Sequence, residues 1–233
     1  MGCKTYIMEK KVTTQQSRIE QGRCEQVMAA WPAESVNFIL TDPPYLVNYR
    51  DRNGRSLPGD RSADWLTPAF AQMFRVLEPN AFCVSFYGWT KTDLFFAAWK
   101  RVGFRIAGHI TFPKRYTSRV GFLRYQHESA YLLTKGRPAE PPRPVGDVLD
   151  WLYTGNLLHP TQKPLGILIP LIEAFSRAGA VVADPFAGSG STCLAAKLLG
   201  RTYWGVELDP ANHATAIARV ARYGLTSPEG VTL

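Results

Sequence analysis

The chain predicts an α/β fold, a largely parallel sheet with helices on both faces, and three observations carry that prediction. Short apolar runs such as 36–40 and 180–183 alternate with segments of helical periodicity such as 165–177 and 211–223. That alternation favours parallel strands joined by crossover helices. Two of the runs end in loops of unusual composition, Thr41-Asp42-Pro43-Pro44-Tyr45 and Asp184-Pro185-Phe186-Ala187-Gly188-Ser189-Gly190-Ser191-Thr192. In an open α/β sheet, ligands collect outside the carboxyl ends of strands, so both loops are expected to face one crevice.

Taken in order, the apolar run at 36–41 predicts a central strand, 65–76 a helix and 81–87 a second strand. A helix over 91–101, a strand near 104–112 and another at 128–134 follow. The later half reads as helix 165–177, strand 181–182, helix 191–199, strand 202–206 and helix 211–223. The residues before 36 form a polar stretch to which no element is assigned.

With 233 residues, 45% of them hydrophobic, one domain over 1–233 can bury a core without metal or disulfide support. The longest apolar stretch, 165–172, is broken by Gly166 and Pro170, and the first residues hold no apolar leader, so a cytoplasmic protein away from membranes is expected. Cys3, Cys24, Cys83 and Cys193 are scattered, with no C-x-x-C pair and no His cluster, which predicts neither a metal site nor a disulfide framework. The formal charge of +8 favours a polyanionic partner.

Two segments break the rhythm. About 46–61 is rich in Arg, Asp, Gly and Ser and is expected to be a mobile loop, with Arg50, Arg52 and Arg55 available to phosphates. About 114–150 interleaves Lys114, Arg115, Arg119 and Arg124 with Tyr116, Phe122 and Tyr125. Cations neutralise phosphates while aromatic rings stack on bases or wedge between them, so this insert is the candidate nucleic-acid contact.

The loops carry the chemistry. Pro43 and Pro44 fix φ and remove backbone donors, which leaves a stiff turn presenting the Asp42 carboxylate, carbonyl oxygens and the Tyr45 ring. An exocyclic amine in that turn would donate its hydrogens to Asp42 and to the Pro43 carbonyl, freeing the nitrogen lone pair for an electrophile, with Tyr45 stacked on the base. In the second loop, Gly188 and Gly190 permit close backbone approach, and the helix after them offers free N–H groups. No Lys precedes Ser191 or Thr192, which disfavours a phosphate-binding P-loop. Glu207 ends the next strand, where an acidic side chain accepts from both ribose hydroxyls of an adenosine cofactor. Asp209 is read as the cap of the following helix.

With His159-Pro160-Thr161-Gln162-Lys163-Pro164 between them, these strings resemble the DNA amino-methyltransferases that use S-adenosylmethionine. The order D-P-P-Y, basic region, H-P-T-Q-K-P, F-A-G-S-G-S-T resembles their circularly permuted β group, from about residue 22 to 223. The resemblance implies a Rossmann-like class I methyltransferase with a seven-stranded sheet, one strand reversed. It implies Asp42, Pro43, Pro44 and Tyr45 around the target amine, and Phe186, Ala187, Gly188, Ser189 and Gly190 along the cofactor. It also implies Asp184 near the methionyl amine, Glu207 on the ribose, and Thr161 and Lys163 near the methionyl carboxylate. One departure is visible: relatives usually carry Gly-Asp where this chain reads Gly22-Arg23-Cys24.

The activity so implied is methylation of adenine N6 in double-stranded DNA, on a base flipped from the stack, by a protein that is often a homodimer. Cytosine N4 is the nearest alternative, and Asp before Pro-Pro-Tyr favours adenine over it. Cytosine C5 chemistry needs a Pro-Cys nucleophile that the chain lacks. A catalytically inactive DNA-binding regulator is the alternative of another class.

Overall fold

The computed structural model describes residues 15–48, 59–151 and 162–223. Its strands are β1 (Arg18–Gln21), β2 (Val36–Thr41), β3 (Leu77–Phe86), β4 (Arg105–Pro113), β5 (Arg119–Val120), β6 (Arg124–Tyr125), β7 (His127–Lys135), β8 (Val181–Asp184) and β9 (Thr202–Glu207). The helices are α1 (Cys24–Ala29), α2 (Leu66–Val76), α3 (Thr92–Val102), α4 (Leu165–Phe175), α5 (Ser191–Leu198) and α6 (Pro210–Arg222). Seven strands form one sheet in the order β1-β9-β8-β2-β3-β7-β4, while β5 and β6 make a separate ribbon. Every pairing in the sheet is parallel except those of β7, which runs antiparallel to both β3 and β4. The implied sheet of seven strands with one reversed is therefore present.

Side chains alternate across a strand, and β2 shows the consequence. Ile39 packs with Met28, Phe70, Met73, Cys83, Trp99 and Trp204 on the face covered by α1, α2 and α3. Phe38 and Leu40 point the other way, against Ile167, Leu168, Leu171 and Ile172 of α4 and Ala195 and Ala196 of α5. Because both faces of β2 are covered, Phe38, Ile39 and Leu40 follow one another as an unbroken apolar run, as buried parallel strands favour.

The termini of the later helices follow local chemistry. Asp209 caps α6 by accepting from Ala211 N and Asn212 N, each at 2.9 Å, with Pro210 in the first helical position. Gly190 precedes α5 with φ of 78°, a left-handed conformation that glycine adopts at little cost. A Cβ there would lie 3.1 Å from Ala216 Cβ, so the turn also needs a residue without one.

Three features depart from the sequence reading. The polar stretch before residue 36 contains β1, an edge strand beside β9, and the six-residue α1. The expected insert at about 114–150 is not one unit: β7 belongs to the central sheet, and β5 and β6 form a small ribbon before it. Beyond β7 the chain returns along the free edge of β4 through the bridges Thr111 to Val148 and Lys114 to Trp151. The expected loop at 46–61 lies partly outside the described residues, and so do Arg50, Arg52 and Arg55.

Trp204 links β9 to the polar N-terminal edge. It is buried, meets Trp31 edge-on at a centroid distance of 5.0 Å, lies under the Arg18 guanidinium at 3.9 Å and donates to Gln16 O at 3.1 Å. Trp204→Ala should cost about 3–5 kcal/mol in urea unfolding, the range for deleting a buried aromatic side chain.

Candidate active site

The two loops are joined directly. β2 pairs with β8 through Phe38 to Val182 and Ile39 to Ala183, which brings their carboxyl ends side by side. Thr41 Oγ1, at the end of β2, donates to Asp184 Oδ1 at 3.0 Å, and both residues are buried. Asp184 also accepts from Phe186 N at 3.1 Å and from the Thr192 hydroxyl. Burial outweighs these bonds and pushes its carboxyl up to about 7.

The Asp42 to Tyr45 turn leaves β2 and is wedged against the end of β3. A Cβ on Gly88 would lie 2.3 Å from the Tyr45 carbonyl oxygen, so glycine alone allows the chain after β3 to pass so close. Asp42 Oδ1 lies within hydrogen-bond distance of the Tyr45 hydroxyl, at 2.8 Å, and Asp42 Oδ2 accepts from Lys163 Nζ at 2.5 Å. Burial raises the Asp42 carboxyl above its ordinary range, against the opposing pull of the Lys163 charge. Lys163 is buried; desolvation disfavours its charge, but Asp42 and Glu128 together hold its pKa above the ordinary lysine value.

Two groups that sequence reasoning did not place here complete the cluster. Glu128 Oε2 lies 3.0 Å from the Tyr45 hydroxyl and 3.9 Å from Lys163 Nζ, while Glu128 Oε1 accepts from Lys114 Nζ at 2.7 Å. Burial raises the Glu128 carboxyl, yet the two lysines overcome this and hold it below its ordinary value. Lys114, expected on the DNA surface, points inward instead: its side chain is 6% exposed and its ammonium sits 4.8 Å from the Trp151 ring centroid.

The cofactor-side residues gather on the same edge. Gly188 N and Asp209 N each donate to a different oxygen of Glu207 at 2.8 Å, so its carboxylate lies at the mouth of the glycine loop. Gly22 N donates to Glu207 O, which places β1 and the Gly22-Arg23-Cys24 corner beside it. Arg23 turns outward to Glu25 at 2.6 Å. Phe186 meets Trp65 edge-on at 5.0 Å, and Ser189 is held by Arg219. Ala187 and Gly190 are buried within this loop. Lys163, implied near the methionyl carboxylate, contacts Asp42 instead, and Thr161 lies outside the described residues. Gln162 Oε1 is buried without a hydrogen-bond partner among the described residues, a free acceptor beside Lys163.

The DNA methylase family model for N6 and N4 enzymes matches residues 36–218, and the chain belongs to that family. It is 54% identical over 205 residues to YubD, described as a methylase, of Escherichia coli (strain K12), covering 88% of this chain and 90% of that protein. It is 28% identical over 225 residues to the DNA adenine methyltransferase YhdJ of the same organism, covering 76% of this chain and 74% of the relative. Among solved structures, the M1.HpyAVI–SAM complex shares the fold with a TM-score of 0.70 at 22% identity, over 87% of this chain and 98% of the other. The cytosine-N4-specific PvuII DNA methyltransferase does so with a TM-score of 0.73 at 16% identity, over 94% and 89%. Among the described residues no helix is long and apolar enough to cross a membrane.

The raised Asp184 carboxyl has a measurable consequence. Between its unfolded value near 4 and its folded value of about 7, the native state binds more protons than the unfolded chain, so its stabilising contribution is lost as pH rises through that window. Stability should fall by up to about 4 kcal/mol from this group between those two values. In urea melts across that range, Asp184→Asn should flatten this part of the pH dependence.

Proposed function

We propose that the chain moves a methyl group from S-adenosylmethionine to the N6 amine of an adenine flipped out of duplex DNA. The observation that carries this reading is the Thr41 to Asp184 hydrogen bond, which fixes an amine-orienting turn beside a glycine loop suited to an adenosine cofactor. The donor set fits that cofactor: the Asp184 and Glu207 carboxylates and the unpartnered Gln162 oxygen suit its ammonium and hydroxyl groups. Bound there, S-adenosylmethionine supplies an already activated methyl group, which leaves the protein to position the amine and handle its proton.

Asp42 and the Pro43 carbonyl would hold the amine, with Tyr45 against the base. Lys163 sits on Asp42 Oδ2, an oxygen that the amine would use, so the lysine must yield or share that position. Adenine is favoured by Asp in place of Ser before Pro-Pro-Tyr and by the named activity of YhdJ. Cytosine N4 presents the same amine geometry, and the PvuII enzyme has the same fold.

The reading treats the chain as one methyltransferase domain that grips DNA through the β5–β6 ribbon, with a homodimer as its assembly. Arg115 and Arg124 are exposed, Arg119 lies on β5, and Phe122 at the ribbon turn is fully exposed. Trp89, 64% exposed, stacks on Tyr125 at 5.8 Å and ties the ribbon root to the catalytic turn through neighbouring Gly88. A ribbon with a cationic flank and an apolar tip suits phosphate contact with insertion at a base step.

Incubation of unmethylated genomic DNA with the purified chain and S-adenosylmethionine, read by nucleoside mass spectrometry, should yield N6-methyladenine. N4-methylcytosine would move the assignment to cytosine, and the absence of either base would overturn the reading. Asp42→Ala should abolish the product while cofactor affinity by calorimetry stays within about twofold. Charge reversal at Arg115 and Arg124 should weaken DNA binding and flatten the slope of affinity against salt by about one unit per lost phosphate contact.

A further inference from the structure

Tyr45 has one hydroxyl hydrogen, yet its oxygen lies 2.8 Å from Asp42 Oδ1 and 3.0 Å from Glu128 Oε2. One hydrogen cannot satisfy two carboxylates. If both were anions, one carboxylate lone pair would face the phenol lone pairs at hydrogen-bond distance in a sheltered site. Lys163 Nζ reaches the Tyr45 oxygen at 3.3 Å and donates to Asp42 Oδ2, but not to Asp42 Oδ1, so a further proton on this string would relieve that clash.

The surrounding charges say where. Glu128 is flanked by two ammonium groups, Lys114 just past the end of β4 and Lys163 ahead of α4, while Asp42 has one ammonium contact among the described residues, Lys163. Asp184, at the end of β8, acts on Lys163 through space and adds negative charge on the Asp42 side. Glu128 is thus the anion that accepts from Tyr45, and Asp42 carries the extra proton on Oδ1, donating it to the Tyr45 oxygen.

We propose that Asp42, Tyr45 and Glu128 form a proton relay in which Glu128 is the terminal acceptor for the proton shed by the methylated amine. The proposal rests on the methyl-transfer reading above. As the amine nitrogen bonds to the methyl carbon, the carbon–sulfur bond breaks with its electron pair going to sulfur, and nitrogen is left with a surplus proton. That proton passes to Asp42 Oδ2, the Oδ1 proton moves to the Tyr45 oxygen, and the original Tyr45 hydrogen moves to Glu128 Oε2. Asp42 and Tyr45 each end with one proton, as they began, and Glu128 ends as the neutral acid. Its side chain is 22% exposed, which gives the proton a way to water. Asp42 serves in this scheme while neutral, because it receives a proton on one oxygen as it releases one from the other.

Glu128→Gln tests the relay, since the amide oxygen still accepts from Tyr45 or Lys114 while the base is gone. Single-turnover methyl transfer by the parent should vary little with pH above neutrality. In Glu128→Gln the rate near neutrality should fall about tenfold or more and recover as pH rises, because Asp42 must then ionise to take the proton itself. Glu128→Asp should restore part of the rate, and S-adenosylmethionine affinity by calorimetry should stay unchanged in both variants. An unaltered rate, or a uniform fall without recovery at high pH, would overturn the relay. Infrared difference spectra between the parent and each variant, without cofactor or DNA, read the resting proton: Asp42→Asn should remove a neutral-carboxyl band, whereas Glu128→Gln should remove an ionised-carboxylate band and leave the neutral one. Its loss in Glu128→Gln with persistence in Asp42→Asn would also overturn the assignment. A parent that methylates no nucleic acid would sink the proposed reaction, while the infrared arm would still decide where the proton lies.

Discussion

The bond from the Thr41 hydroxyl to the Asp184 carboxylate is the contact on which the site depends. It exists because β2 and β8 are hydrogen-bonded neighbours pointing the same way, so the last residue of each emerges at one edge of the sheet. Both groups are buried, and a buried carboxylate needs partners more than an exposed one does. Asp184 finds them in Thr41, Phe186 N and Thr192, which fixes the start of the glycine loop, the end of β2 and the first turn of α5 about one side chain. The remaining electrostatic deficit appears as the raised carboxyl. A cationic ligand at this point would supply the missing charge, so the same shortage that strains the site prepares it for a cofactor carrying an ammonium group.

Much of this was legible in the chain. The two islands fall at adjacent strand ends, as expected of apolar runs followed by tight loops in a doubly covered sheet, and Asp209 caps its helix as its position suggested. β1 was not legible, because an edge strand of Arg18, Ile19, Glu20 and Gln21 carries only one apolar residue and gains its place by pairing with β9. α1 is too short for its periodicity to show. The partner of Lys163 was not legible: the resemblance implied the methionyl carboxylate, and the lysine reaches Asp42.

Glu128 and Lys114 were missed for a topological reason. In sequence, Glu128 sits in a strand of mixed polarity and Lys114 in a basic run, and both patterns suit solvent. The reversed strand changes that. β7 pairs with β3 up to Phe86 opposite Ala130, so Glu128, two residues earlier in β7, projects past the carboxyl end of β3 toward the catalytic turn. The start of an antiparallel strand lies at the same sheet edge as the ends of its parallel neighbours, and polar residues at that start were the available signal.

The same topology couples the β5–β6 ribbon to the Asp42 to Tyr45 turn. β4 ends at Pro113 and β7 begins at His127, so the ribbon between them hangs from the two residues that flank it. Lys114 N donates to Gln126 O at 2.7 Å, and the Lys114 ammonium holds Glu128 at the same distance. That clasp is at once the root of the ribbon and the outer support of the carboxylate behind Tyr45. A ribbon displaced at its root would shift Lys114, which together with Lys163 holds the Glu128 carboxyl below its ordinary value against burial. Tyr125 stacked on Trp89 adds a second tie, since Gly88 beside it is packed on the Tyr45 backbone. The root of the ribbon and the Glu128 carboxylate behind Tyr45 are thus supported by one lysine.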